Sequence, residues 1–461
     1  MLSQFIGNTL NISNISVFIQ ITSYDEKLTE ICEDKSLLNV LNKPLLSYQL
    51  EFLERNNIKE VTIITNENFS KNINDFLLSY EGELQIKIFT TNNKGINILN
   101  SIKNEIKHNN FILMSVESLL YFDLFKLIDE HIDNRSLITL VLNEDNYDTQ
   151  KLNFLKKKEI ELYCIEDNNS VNLKRLVYTT KRESDDSHEP LEIPKNVLKH
   201  SYNYGFDLIT CEDTHFYIFN KNIFPLLESK MYLKKSKKFK ENSINHNLIP
   251  YLVEKSYSST FNNILINSSK NNRDLVNRVN IRCKIIDLKE KEFVYSIIDY
   301  PRLISIIDEI RKPYDKIPLI FFQTRNNIKN YFMNFAQKIE ENINNKKNFN
   351  DQIKELSSIS MDSYIADPII LIENGSRVNR TISGQNLSVK SKSKIISCII
   401  YDNVNIGNDC NITNCIIGEN AKIGNNCILT DCVIASNYFV SNDTNKSGKI
   451  FSKENDDNFD F

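Results

Sequence analysis

Clustered cysteines invite a metal ion, and this chain places five of its nine in one short region: Cys398, Cys410, Cys415, Cys427 and Cys432. Their spacing is not that of a C-x-x-C knuckle. They fall instead on a ladder of small or medium residues, Cys398, Val404, Cys410, Cys415, Ala421, Cys427 and Cys432. Two places after each comes an aliphatic: Ile400, Ile406, Ile412, Ile417, Ile423, Leu429 and Ile434. Steps of 6, 6 and 5 return an equivalent position every 17 residues, one turn of a three-sided coil with a shortened corner. Stacked coils put Cys398, Cys415 and Cys432 in one interior column and Cys410 above Cys427 in another. There free Cys packs as a small apolar side chain, with no metal required. Gly407, Gly418 and Gly424 follow aliphatics at the corners, where a left-handed backbone conformation would suit Gly. Residues 363–389 fit the period more loosely and read as one or two degenerate first turns.

The second chemical candidate is a general base. Left-handed parallel β-helices of this kind are common in acyltransferases, which use a His near the coils. All six His of this chain lie at or before His246, so the coil region lacks one. The stack then reads as a docking module, 361–440, followed by a polar acidic tail, 441–461.

The elements ahead of the coils alternate short β-branched runs with helical spacing, the pattern of an α/β domain with a mostly parallel sheet over 1–315. Val17 to Ile21 reads as the first strand. Asn42-Lys43-Pro44 reads as a helix start with Leu46, Leu50 and Leu53 on one face. Val61 to Thr65, Phe111 to Met114, Leu137 to Leu142, Thr214 to Asn220 and Phe293 to Ile298 read as further strands. A helix from Pro301 to Ile310, with Leu303, Ile306, Ile307 and Ile310 apolar, closes the domain. An Asn- and Lys-rich helical connector, 316–360, follows, with Ile328, Phe332, Phe335 and Ile339 at helical spacing.

Composition limits the partners. A length of 461 residues calls for at least two packed units, and a net charge of -4 gives no electrostatic case for nucleic acid. The clusters Lys234, Lys235, Lys237, Lys238, Lys240 and Lys156 to Lys158 lack interleaved aromatics and read as solvated surface. No run approaches the roughly 18 apolar residues of a membrane span. The first 26 residues hold no Lys or Arg, so neither a secretory signal nor a transit peptide is expected, and the cytosol is the expected compartment. In that setting the nine thiols read as free.

A parallel α/β domain followed by a left-handed β-helix resembles the sugar-nucleotide pyrophosphorylases, a nucleotidyltransferase family with a Gly-rich loop after the first strand, a Lys-Pro-Leu segment and a metal-binding Asp. The resemblance implies that the loop amides would hold nucleotide phosphates. The matching loop here is Thr22-Ser23-Tyr24-Asp25-Glu26-Lys27-Leu28, and no Gly occurs between Gly7 and Gly82. No residue in it can cheaply take φ > 0 or let a pyrophosphate approach the backbone. Asp25 and Glu26 add negative charge there. Thr22, Ser23, Tyr24 and Lys27 therefore read as a degenerate phosphate loop, with Lys35 and Lys43 as remaining cations. Where the family has its metal-binding Asp, Ser115-Val116-Glu117-Ser118 offers only Glu117 as a weak Mg²⁺ ligand. No catalytic residue and no cofactor are expected.

One family keeps this scaffold without the transferase chemistry. The chain resembles the gamma subunit of eukaryotic translation initiation factor 2B in Asn42-Lys43-Pro44-Leu45, in Asp213-Thr214-His215-Phe216-Tyr217, in Leu248-Ile249-Pro250-Tyr251-Leu252-Val253 and at Met361-Asp362-Ser363. The family's epsilon subunit carries a helical exchange domain after the β-helix, for which about twenty residues after 440 leave no room. The resemblance implies a non-catalytic subunit of a guanine-nucleotide exchange complex. Its partners would be an epsilon-type paralogue, the other initiation factor 2B subunits and initiation factor 2. A working pyrophosphorylase and a scaffold of some other complex are the alternatives.

Overall fold

The computed structural model describes residues 15–21, 28–144, 159–166, 172–183, 205–237, 239, 242–268, 278–286, 292–297, 299–309, 359–360, 363–365 and 371–453. The connector up to residue 358, the acidic residues 454–461, and Ile310, Met361 and Asp362 lie outside them. In chain order come β1 (Ile15–Gln20), β2 (Asn39–Val40), β3 (Lys43–Pro44), α1 (Leu45–Arg55), β4 (Glu60–Thr65), α2 (Glu67–Leu78), β5 (Gln85–Thr90), α3 (Ile96–Ile102), β6 (Asn110–Ser115) and β7 (Ser118–Tyr121). Then follow α4 (Leu124–Asp133), β8 (Ile138–Glu144), β9 (Glu159–Glu166), β10 (Lys174–Glu183), β11 (Phe206–Asn220), α5 (Ile223–Leu227), α6 (Lys230–Ser236), a π-helical turn (Ile244–Leu248), α7 (Ile249–Lys255), α8 (Ser259–Ser268), β12 (Ile281–Ile286), β13 (Phe293–Ser296) and α9 (Tyr300–Glu309). Two compact units result. One gathers Met1–Tyr24, Tyr48–Tyr147 and Leu155–Ser296, the other Asp25–Ser47, Asp148–Phe154 and Ile297–Phe461.

The first unit is built on a nine-stranded sheet of order β5-β4-β1-β6-β11-β8-β12-β10-β9. The sheet is parallel through β5-β4-β1-β6 and again at β8-β12, and antiparallel where β11, β10 and β9 enter it. β1 reads as a near-continuous apolar run because both its faces are covered, as a central strand requires. α4 shows the helical logic plainly. Asp123 caps it, accepting from Lys126 N at 3.1 Å, and Leu124, Leu127, Ile128 and His131 form its buried stripe. Phe111 of β6 stacks on Phe219 (5.2 Å between centroids) and Phe224 (6.0 Å) at the centre of the core.

The second unit contains the expected coil stack. Its three parallel sheets repeat in register, as in Ile399↔Ile416↔Val433↔Ile450, Asn405↔Lys422↔Phe439 and Ile412↔Leu429↔Lys446. The Cys columns are confirmed, but the thiols do more than fill space. Cys415 N donates to Cys398 Sγ (3.5 Å) and Cys432 N to Cys415 Sγ (3.4 Å), while Cys398 Sγ lies 3.2 Å from Ile396 O and Cys415 Sγ 3.2 Å from Thr413 O. Earlier coils use hydroxyls in the same places: Cys398 N donates to Thr381 Oγ1, Cys410 N to Ser393 Oγ and Ser393 N to Ser376 Oγ. The columns are hydrogen-bonded ladders that satisfy backbone groups at the coil corners.

Three expectations are corrected here. Gly407, Gly418 and Gly424 are not the left-handed residues. Those are Asn386, Asn403, Asn420 and Asn437 at one corner, Lys392, Asp409, Asn426 and Asp443 at another, and Arg380, Ser397, Asn414 and Asp431 at the third. Asn and Asp tolerate that region and hydrogen-bond from coil to coil, as Asn386 Nδ2 does to Asn403 Oδ1 at 2.9 Å. The glycines answer to close stacking instead: a Cβ on Gly407 would stand 2.5 Å from Gly424 O, and one on Gly418 2.5 Å from Ser436 N. The coils also run past 440, through Asn445–Ser447 and Ile450–Phe451. There the exposed Lys446 takes the inward place held by Val378, Ile395, Ile412 and Leu429 in the preceding coils. A charge at that place ends the apolar core.

The third correction concerns the α/β domain's expected bounds, 1–315. On one sheet the strands are doublets, Ile399-Ile400, Ile416-Ile417 and Val433-Ile434. Successive residues face opposite ways, so one of each pair points outward, yet Ile399, Ile416 and Val433 are buried. Residues 28–44 and α9, both expected in the α/β domain, cover this face. Leu41, Leu303 and Ile306 meet Ile382 and Ile399 around a small crevice. Asn42 Nδ2 donates to Ser383 O (3.1 Å), Tyr401 OH to Asn39 O (3.1 Å) and Ser436 Oγ to Ile31 O (2.7 Å). Lys43 and Pro44 form β3 of a two-residue hairpin with Leu41 and Asn42 left-handed at its tip, so α1 begins only at Leu45.

Candidate functional site

Of the residues singled out for phosphate chemistry, Lys35, Lys43 and Glu117 are among those described. Thr22, Ser23, Tyr24 and Lys27, with Asp25 and Glu26, lie outside the described residues. Lys35 is buried in a short 3₁₀ turn whose cap, Asp34, accepts from Ser36 N (3.0 Å) and Ser36 Oγ (2.5 Å). Burial raises the Asp34 carboxyl above its ordinary range. Lys43 is half-buried in β3, opposite Val40. Both lysines belong to the β-helix unit, whereas Glu117 belongs to the α/β unit. Glu117 is buried beyond the carboxyl end of β6, its amide donating to Ser115 Oγ at 3.2 Å. Among the described residues no three His, Cys, Asp or Glu converge as metal ligands.

Among the described residues of the α/β unit, a dense polar site is built around the Asp213-Thr214-His215-Phe216-Tyr217 run. β11 loses register with β8 between Asp213 and Tyr217, a β-bulge, and His215 sits there at φ +54. Asp213 holds the bulge from both sides. Its Oδ1 accepts from His215 N at 2.9 Å and its Oδ2 from the Tyr217 hydroxyl. Ser118 Oγ and Thr214 Oγ1 fix the same turn, donating to Thr214 O and to Val141 O (2.8 Å).

A second carboxylate joins from β9. Glu161 accepts from Asp213 N (3.3 Å), Tyr163 OH (2.8 Å) and Asn245 Nδ2 (3.0 Å), and His246 Nε2 stands 3.8 Å from it. Asn245 and His246 ride on the π-helical turn, a local widening that often marks functional positions. Burial raises the Asp213 carboxyl, with the nearby Glu161 charge adding to it and the His215 charge opposing. Burial likewise pushes the Tyr163 phenol far above its usual value. The network has carboxylates and two rim histidines, and the hydroxyl of its serine, Ser118, is committed to Thr214 O. Its demonstrable work is to hold a strained turn. Sequence reasoning found the Asp-x-His-x-Tyr run as a motif and missed Glu161, Tyr163, Asn245 and His246, since nothing in their spacing links β9, β11 and the π turn.

These observations define a class: a mixed α/β unit with a parallel strand switch, joined to a hexapeptide-type β-helix. A family model described as GlmU-like, C-terminal hexapeptide, matches residues 346–429. The chain is 26% identical over 232 residues to the translation initiation factor eIF2B subunit gamma of Dictyostelium discoideum, covering 47% of this chain and 51% of that protein. It is 27% identical over 240 residues to the subunit of the same name from Schizosaccharomyces pombe, covering 49% and 48%. The chain thus spans about half the length of the curated relatives it matches. The resemblance to the gamma subunit of initiation factor 2B, read from the sequence, is shown. Among the described residues no helix is long and apolar enough to cross a membrane.

Proposed function

We propose that this chain acts as a non-catalytic, gamma-type subunit of the initiation factor 2B exchange complex, in the cytosol, supporting an epsilon-type paralogue in GDP release from initiation factor 2. The observation that carries this reading is a contrast. The segment that should cradle phosphates has no Gly, and Lys35 and Lys43 lie in the β-helix unit, while the coil stack keeps its strand register to its last turn. Architecture is kept where chemistry is not, which favours contacts with other subunits over turnover. An exchange factor must bind the nucleotide-free GTPase better than the GDP-bound form, and each tenfold preference needs about 1.4 kcal/mol of coupling. A subunit that widens the contact with the nucleotide-free state supplies such coupling without touching the nucleotide.

The test is release of labelled GDP from initiation factor 2 with each subunit and with the pair. Alone, this chain is expected to leave the rate nearly unchanged; with the longer paralogue it raises the rate or tightens binding to the factor. Full exchange by this chain alone, or no association with the paralogue at micromolar concentrations, overturns the proposal. Mg²⁺-dependent turnover of a nucleoside triphosphate with a sugar phosphate would instead support the pyrophosphorylase reading.

A further inference from the structure

The nine-stranded sheet closes one end on itself, because β9 pairs with β11 as well as with β10. Among the described residues this leaves β5 as its unpaired edge. The backbone directions there are fixed by two bonds to the β4 side: Gln85 N donates to Lys59 O (2.9 Å) and Thr91 N to Thr65 O (2.8 Å). In a parallel pair alternate residues serve the neighbour. Gln85, Lys87 and Phe89 therefore turn N–H and C=O to β4, and Ile86, Ile88 and Thr90 turn theirs outward.

Edge strands usually carry a Pro, a bulge or a free charge against unwanted pairing. β5 has neither Pro nor bulge, and its one charge, Lys87, is engaged by the Glu105 carboxylate. Ile86, Ile88 and Phe89 are only half-buried. Leu78, which ends the helix α2 that packs on β5, is 87% exposed, more than any other large apolar side chain described.

We propose that β5 is a pairing edge for β5 of a second copy of this chain, antiparallel about a two-fold axis at Ile88. That register is self-complementary. Ile88 faces Ile88, and Ile86 faces Thr90, so every outward N–H meets an outward carbonyl of the other copy. Side chains agree with it. Lys87 falls opposite Phe89, an ammonium beside an aromatic ring, and no like charges oppose each other. A shift of one residue would set outward-facing groups against groups already bonded to β4, so the register is unique to within two residues.

Sedimentation velocity of the full chain from sub-micromolar to tens of micromolar, with hydrogen exchange at both ends of that range, tests the pairing. A concentration-dependent dimer is expected, in which the amides of Ile86, Ile88 and Thr90 gain protection as concentration rises while those of Gln85, Lys87 and Phe89 are protected throughout. Ile88→Pro deletes an outward donor together with a half-buried side chain, and Thr90→Lys, at an exposed position, adds a charge opposite Ile86. Each should weaken the dimer at least about tenfold, a loss of some 1.4 kcal/mol, and Thr90→Lys should do so while leaving the thermal unfolding of the monomer unchanged. A monomer at every concentration, a dimer indifferent to both substitutions, or the three outward amides already protected at the lowest concentration would overturn the proposal. The last result would mean that another part of the same chain covers the edge.

Discussion

Each unit buries polar groups, and the two do so by opposite means. In the β-helix the problem recurs from coil to coil and is solved at the same positions: a hydroxyl or thiol that accepts the next coil's N–H and donates to a carbonyl, at Ser376 and Ser393 in one column and Thr381, Cys398 and Cys415 in another. In the α/β unit such groups are met by separate local arrangements, and the one at the β11 bulge draws on β9, β11 and the π turn. A periodic solution is distributed, so no single rung is decisive. A one-off solution concentrates its cost in one or two residues, and Asp213 is fully enclosed with both oxygens engaged.

The largest effect should come from breaking the periodic interior outright. Ile417 is wholly buried in the coil core, and Ile417→Asp places a carboxylate where no partner exists, at a cost of several kcal/mol. Loss of the β-helix's cooperative unfolding, followed by calorimetry or limited proteolysis, is the expected result. A variant that unfolds at the wild-type temperature would mean that the coil core is wetter than its burial indicates.

Asp213→Ala should come next, at about 2 to 3 kcal/mol, because it strands His215 N at a buried bulge and removes one partner of the Tyr217 hydroxyl. Asp213→Asn keeps an acceptor for the strained amide and should recover much of that. Urea unfolding of both variants checks the order, and an Asn variant as damaged as the Ala one would show that the charge, not the acceptor, holds the bulge.

Acid should also separate the units. His131 is buried with Nδ1 2.7 Å from Thr139 Oγ1 and no hydrogen-bond partner at Nε2, and burial lowers its imidazole from 6.5 to about 3. The unfolded chain takes up a proton near pH 6.5 that the folded chain refuses until about pH 3. The stability it contributes is therefore complete above pH 6.5 and is lost as the pH falls toward 3, by up to about 1.4 kcal/mol per pH unit. By pH 5 this amounts to roughly 2 kcal/mol, confined to the α/β unit. His131→Gln should flatten that slope between pH 6.5 and 4; an unchanged slope would assign the acid sensitivity to the carboxylates instead.

The same contrast explains what the sequence could tell. The coil stack was legible because a 17-residue period repeats one instruction many times, enough to place both Cys columns. The doublets Ile399-Ile400, Ile416-Ile417 and Val433-Ile434 already held the news that one outer face is covered, since an exposed face would alternate with Asn or Lys as Asn405-Ile406 and Lys422-Ile423 do. Which segment covers it was not legible, because residues 28–44 sit some hundreds of positions away and carry no matching period. Strands β1, β4, β6, β8, β11 and β13 of the α/β unit could be read from their β-branched runs, whereas β5, β9, β10 and β12 were not. The antiparallel insertion of β11 and the Glu161–Asp213 network could not, because both depend on pairings distant in sequence.

The smallest effect is the most discriminating. If Cys415 merely fills space, Cys415→Ala leaves a small cavity and Cys415→Ser is the worse change, since it puts a hydroxyl into an apolar column. If the thiol is a rung of the ladder, the ranking reverses. Ala abandons Cys432 N and Thr413 O, while Ser can serve both, as Ser393 does in the neighbouring column. The expected costs are about 2 kcal/mol for Ala and under about 1 kcal/mol for Ser. Because Cys398 and Cys432 continue the same column, neither variant should abolish the fold, and both can be compared by denaturant midpoint at equal slope. A milder Ala than Ser would return the thiols to simple packing and leave the hydroxyls of Ser376, Thr381 and Ser393 as rungs among the described coils.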